Sequence, residues 1–166
     1  MPETNQPNEL WEGELIMSPA PAPQHQRIVA RLYRLLDDFV SARDLGQVFL
    51  TPIDVVLAQR RTVQPDLIFI DRGNQKIIQD AIRGVPDLVM EVVSKGSWRR
   101  DRIDKRSLYQ QFGVKEYWII DPEAQTIELL FLSARAYRLL SKAMPGKTVR
   151  SKLLTGFKVA VNEVLV

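Results

Sequence analysis

The chain has 166 residues, 45% hydrophobic and 26% charged, with a net charge of +3; this is the profile of a globular protein of one-domain size. It contains no cysteine and one histidine, His25, which excludes disulfides, thiolate-held zinc, iron–sulfur clusters, a cysteine nucleophile and multi-histidine zinc sites. A metal would have to rest on oxygen ligands, which favours Mg2+, Mn2+ or Ca2+. No apolar run approaches the about 20 residues of a membrane helix, and Met1 to Glu9 lacks the basic start and apolar stretch of a signal peptide. The expectation is a cytoplasmic protein with a loosely held tail over residues 1–10 and a single domain over 11–166, with no internal repeat.

In chain order, Trp11 to Met17 reads as a short strand around Gly13. The proline-rich Ser18 to Pro23 blocks regular pairing and leads into a helix. In that helix Ile28, Val29, Leu32, Leu35, Leu36, Phe39 and Val40 recur at three- and four-residue spacing, and Gly46 lies past its end. Gln47 to Leu57 reads as a strand bent or interrupted at Pro52, and Pro65 to Ile70 as a second. Asp71-Arg72-Gly73-Asn74 is turn chemistry. Asp87 to Val93 is a nearly all-apolar strand, so buried on both faces. Ser97 is placed to cap a second helix that runs to Phe112 and stops at Gly113. Tyr117 to Asp121 is another buried strand, with Asp121-Pro122 as its turn, and short strand-like runs alternate with Gly and Pro turns to Val166. The fold class expected is α/β (α+β), a mixed central sheet flanked by two main helices.

Glu91 is the residue that calls for chemistry. It lies in Leu88-Val89-Met90-Glu91-Val92-Val93, on the face shared with Val89 and Val93. If that face is covered, an ionised carboxylate there is costly unless a cation or strong donors compensate. An edge-strand glutamate, or one paired with an arginine of a packing helix, is the plainer alternative. Asp66 opens the Pro65 to Ile70 strand, a natural neighbour of the Glu91 strand; taken alone it is simply strand-start chemistry. Two carboxylates entering one site from adjacent strands make most sense around a divalent cation, and the Val92 carbonyl is a further oxygen beside them. A lysine is the usual partner of such a pair. Val93, two residues after Glu91, cannot serve, whereas Lys105 can: it shares a helical face with Asp101, Leu108, Tyr109 and Phe112, and its stem can run over apolar surface. The competing reading is an exposed Asp101–Lys105 pair on the helix surface.

Pro65-Asp66, Pro86-Asp87-Leu88-Val89-Met90-Glu91-Val92-Val93-Ser94, then Asp101, Lys105 and Tyr109, then Gly113 to Pro122, together resemble the Uma-type restriction endonucleases of the PD-(D/E)XK nuclease superfamily. Gly13 to Pro19 and His25 match the opening of the same family. The resemblance covers nearly the whole chain. It implies a restriction-endonuclease-like core and hydrolysis of DNA phosphodiester bonds with Mg2+ or Mn2+. Asp66 and Glu91 match the two acidic metal ligands, Glu14 is an auxiliary candidate, and Lys105 stands in as a migrated catalytic lysine for the missing one at Val93. The superfamily also implies a homodimer. Lys95, Arg99, Arg100, Arg102 and Arg106 read equally as a solvated face or, beside a metal site, as a phosphate-binding rim, and His25 as a helix-start hydrogen-bonding residue or a further phosphate contact. The alternative, from a different class, is an inactive nuclease-fold module that binds nucleic acid; a Lys105 far from Glu91 would favour it.

Overall fold

The computed structural model describes residues 8–17 and 20–166. The elements in chain order are β1 (Asn8–Trp11), β2 (Glu14–Met17), α1 (Pro23–Ala42), β3 (Gly46–Leu50), β4 (Val55–Ala58), β5 (Arg61–Val63), β6 (Leu67–Asp71), β7 (Ile82–Arg83), β8 (Leu88–Val92), α2 (Lys105–Phe112), β9 (Glu116–Asp121), β10 (Thr126–Ser133), β11 (Ala136–Ala143), β12 (Thr148–Arg150), β13 (Lys158–Ala160) and α3 (Val161–Leu165). A π-helical turn over Arg100–Asp104 leads into α2, and a 3-10 turn over Arg72–Ile77 follows β6.

The central sheet has six strands in the order β11-β10-β9-β8-β6-β3. Every neighbouring pair is antiparallel except β8 and β9. A parallel pair cannot be joined by a hairpin and needs a crossover; α2 is in that crossover, which is why it lies across the sheet beside β8. Strands β2-β1-β5-β4-β7 form a second, five-stranded sheet, and β12 pairs with β13.

Strand alternation divides the core in two. Leu67, Phe69, Leu88, Met90, Val92, Trp118 and Ile120 face α1, through Ile28, Val29, Leu32, Leu36 and Val40, together with α3. Ile68, Ile70, Val89, Val93, Tyr117 and Ile119 face the other way, toward Leu108 and Tyr109 of α2 and Val55, Val63 and Ile82 of the second sheet. Central strands covered on both faces are necessarily apolar throughout, and the polar exception in β8 is Glu91, 2% exposed.

Several expectations change in detail. The strand expected over Trp11 to Met17 is a hairpin, with Glu12 and Gly13 at positive φ in its turn. Its first strand begins at Asn8, so residues 8–10, expected within a tail, are strand instead: Asn8 and Glu9 are buried because β1 pairs with both β2 and β5. Residues 1–7, and Ser18 and Pro19 of the proline-rich segment, lie outside the described residues. Of the two readings at Pro52, the interruption holds: it separates two strands, and β3 and β4 belong to different sheets. Ser97 does not cap the second helix. Its hydroxyl accepts instead from the Ser94 N–H at 3.0 Å. Gly113 closes α2 as expected, at φ 85° with its N–H on the carbonyls of Tyr109 and Gln110.

Candidate active site

The register brings the two acidic residues together. β6 and β8 pair Leu67 with Met90, so one step further along the antiparallel ladder Asp66 stands opposite Glu91. Both line a cavity of about 870 Å³, bounded by the start of α1, β8, the Ser94–Ser97 turn and the approach to α2. Asp66 is held there by its Oδ2, which accepts the Val92 N–H at 2.8 Å and lies 3.2 Å from His25 Nε2. His25 is on the first turn of α1, so that helix start is tied directly to the acidic pair.

Glu91 is met by two groups from α2. Lys105 Nζ donates to its Oε1 at 2.9 Å and the Tyr109 hydroxyl donates to the same oxygen at 2.7 Å. Lys105 and Tyr109 are four residues apart and therefore on one helical face. Lys105 is only 4% exposed, which excludes the exposed surface pair with Asp101; the Asp101 side chain itself lies outside the described residues. Burial first, and the Glu91 charge second, push the Tyr109 hydroxyl well above the usual tyrosine range. It therefore remains a proton donor to Glu91 at any ordinary pH.

A third carboxylate completes the cluster. Glu9 Oε1 lies 3.0 Å from Lys105 Nζ and accepts the Gln64 N–H at 3.1 Å, while Arg100 stands 3.8 Å from Oε2. Burial works to raise the Glu9 pKa, but the Lys105 charge and the Gln64 N–H outweigh it, and the net direction is down. Glu9 thus stays ionised. Glu14, the auxiliary acid expected from sequence, is exposed on β2 and does not line the cavity. The hairpin turn reverses the chain between them, so β1 carries its acid into the site and β2 does not. The signal for Glu9 was its spacing from Trp11, whose indole N–H reaches Glu9 Oε2 at 3.3 Å.

The expected basic rim is only partly formed. Lys95 and Arg100 line the cavity; Arg99, Arg102 and Arg106 do not. Arg106 is one residue from Lys105 and hence about 100° around the helix from it, so the two cannot share a face. Arg102 is turned to Asp121 at 2.9 Å and to both oxygens of Glu128 at 3.1 Å. Those pairs leave its fork little capacity for a phosphate.

The residues present suit a divalent cation. Three carboxylates, Glu9, Asp66 and Glu91, face the cationic Lys105 and Arg100, and Asp66 Oδ1 has no partner among the described residues. Also among the described residues, no three His, Asp or Glu side chains are gathered as a ready-made metal cage.

The sequence matches the Uma2 family, described as "Putative restriction endonuclease", over residues 1–162. No curated protein matches it. Among solved structures, a "putative nuclease belonging to DUF820" from Anabaena variabilis ATCC 29413 is similar with a TM-score of 0.82 at 17% identity, over 99% of this chain and 93% of that one. A DrdV–DNA complex gives a TM-score of 0.44 at 15% identity, over 72% of this chain and 11% of that one. The first likeness extends over nearly the full length of both chains, and the fold is the mixed α+β, restriction-endonuclease-like one expected. No helix among the described residues is long and apolar enough to cross a membrane. With its fold matched end to end and its sequence matched over residues 1–162, the chain belongs to the Uma2 family of restriction-endonuclease-like proteins.

Proposed function

We propose that this chain is a Mg2+- or Mn2+-dependent endonuclease that hydrolyses DNA phosphodiester bonds at the Asp66–Glu91–Lys105 cluster. The observation that supports it most directly is Lys105 Nζ, buried and 2.9 Å from Glu91 Oε1. It supplies the cation missing at Val93 from a different element. An inactive binding module would have no need to hold a lysine against two carboxylates away from solvent, where the arrangement is costly to assemble.

In this reading Asp66 and Glu91 would hold the metal, with the Val92 carbonyl as a further oxygen. When bound, a divalent cation supplies Lewis acidity that neutralises phosphate charge and makes water a nucleophile near neutral pH. The protein groups then have separate tasks. The Lys105 ammonium donates toward the attacking oxygen or the charge developing on the phosphate. Tyr109 fixes the rotamer of Glu91, and His25 with the Val92 N–H fixes that of Asp66. Glu9 shares the Lys105 ammonium and keeps it positioned. Lys95 and Arg100 attract the phosphates flanking the scissile one. A homodimer working in the cytoplasm is the setting this reading expects.

The test is cleavage of supercoiled plasmid and of single-stranded DNA with Mg2+ or Mn2+, comparing the native chain with Glu91→Ala. Activity should fall by about a hundredfold or more. Equal residual cleavage by both proteins would end this reading.

A further inference from the structure

The cavity that holds the acidic cluster has an aromatic side chain at its edge that the hydrolytic machinery does not use. Trp98 lines it and is 50% exposed, whereas Trp118 is fully buried. Among the described residues Trp98 is the only aromatic side chain classed as exposed. Leaving an indole in water is unfavourable by the apolar area it presents. The segment leading into α2 could have carried any polar residue there.

Trp98 is also held in place. The Arg102 guanidinium carbon lies 5.8 Å from its ring centroid, within the range of a cation–π contact. Arg102 is in turn clamped by Asp121 and Glu128. The arginine that sequence placed on the phosphate rim therefore serves as a rigid support for the indole. Trp98 and Lys105 line the same cavity, which places the indole within reach of a nucleotide next to the one being cut.

The charges around this indole are sparse. With Arg99, Arg102 and Arg106 outside the lining, Lys95 and Arg100 are left beside Lys105 as its cations, and Lys95 stands 3.7 Å from Glu123. Ala20, Pro21, Ala22 and Pro122 add apolar surface instead. Duplex binding relies on many phosphate contacts. Single-strand binding combines a few cations with an aromatic platform on which a base stacks. A base can reach such a platform only when it is unpaired.

We infer that Trp98 is a stacking platform for an unpaired base flanking the scissile phosphate, so that the site takes single-stranded DNA in preference to intact duplex. The inference rests on the DNA-cleaving reading above and assigns its substrate class. Trp98 positions substrate and takes no part in bond cleavage.

The test measures binding without divalent metal, by anisotropy of a labelled short oligothymidylate, of the matching duplex and of the matching oligouridylate. The oligothymidylate should bind most tightly. Trp98→Ala should weaken that binding about tenfold, and Trp98→Phe should retain most of it. Because Trp98 is exposed, both variants should melt close to the native temperature, so a folding defect is separable. Tighter binding of the duplex, or unchanged binding by Trp98→Ala, overturns the stacking assignment and leaves the nuclease reading standing; tighter binding of the oligouridylate overturns the choice of DNA as substrate. Binding of no nucleic acid by the native chain, here and when the measurement is repeated with Ca2+ to neutralise the carboxylates, overturns both.

Discussion

Lys105 Nζ bridges Glu91 and Glu9, at 2.9 Å and 3.0 Å, and ties the neighbouring β8 and α2 to β1, far away in the chain. Glu91 comes from the middle of the central sheet, Glu9 from the edge hairpin, and Lys105 from the crossover helix between β8 and β9. The lysine is consequently a structural keystone as well as a candidate catalytic group, and its removal has two separable consequences.

Lys105→Met should leave two buried carboxylates without their shared cation. Breaking a buried ion pair by removing one partner costs about 3–5 kcal/mol, so chemical denaturation should show a loss of that order. Divalent metal should restore more stability to this variant than to the native chain, because a cation can then take over the compensation. A variant that is as stable as the native protein, and indifferent to Mg2+, would show that the cluster carries no such strain.

Glu9→Gln tests the acid limb of stability. The folded Glu9 pKa lies below its ordinary value. Its contribution is therefore complete above an unfolded pKa of about 4.3 and is lost as pH falls through the lower, folded value. The glutamine variant should be less stable at neutral pH and should show a shallower decline on acidification. Parallel acid-denaturation curves for the two proteins would contradict this.

Tyr109→Phe addresses the alkaline limb. The folded pKa of Tyr109 is raised, by burial and by Glu91. The contribution is accordingly full below an unfolded pKa of about 10 and is lost as pH rises above it, because the unfolded chain then releases a proton that the folded chain must keep. Removing the hydroxyl should flatten that loss without abolishing it. Tyr137, also raised by burial, donates to the Val114 carbonyl at 2.7 Å and keeps its own share. At neutral pH the loss of one donor to a buried carboxylate should cost about 1–3 kcal/mol, read from denaturant midpoints.

Glu116→Ala should be among the most damaging single changes away from the cavity. Glu116 is fully buried. It accepts from Trp118 Nε1, Ser151 Oγ, and the N–H groups of Lys152 and Leu153. Each orphaned donor costs about 1–3 kcal/mol, so the loss should be at least about 3 kcal/mol. Hydrogen exchange at Lys152 and Leu153 should accelerate more than at β8. Uniform protection in both proteins would refute this role.

How far each feature could be read from the chain depended on the range of the interaction behind it. The apolar spacing from Ile28 to Val40 is a property of one helix and is visible in one stretch of residues. The unbroken apolar run around Glu91 likewise announces a strand covered on both faces. By contrast, β5 is three residues long and exists because β1 and β4 flank it, so no local pattern marks it. Arg102 and Arg106 have equal charge and similar neighbours in sequence. One is clamped by Asp121 and Glu128 and the other is exposed, a distinction made by residues well removed along the chain.

The acidic cluster divides in the same way. Sequence alone determined that no cysteine or multi-histidine chemistry is possible, that Glu91 interrupts a buried strand and so needs compensation, and that Lys105 shares an apolar helical face. Those follow from residue identity and from periods of two and 3.6 residues. Only the tertiary structure decided which acids meet. Antiparallel register set Asp66 opposite Glu91, and the hairpin brought in Glu9 and left Glu14 outside. Register and hairpin direction are settled by pairing between distant strands, where a one-residue shift would turn each side chain to the opposite face.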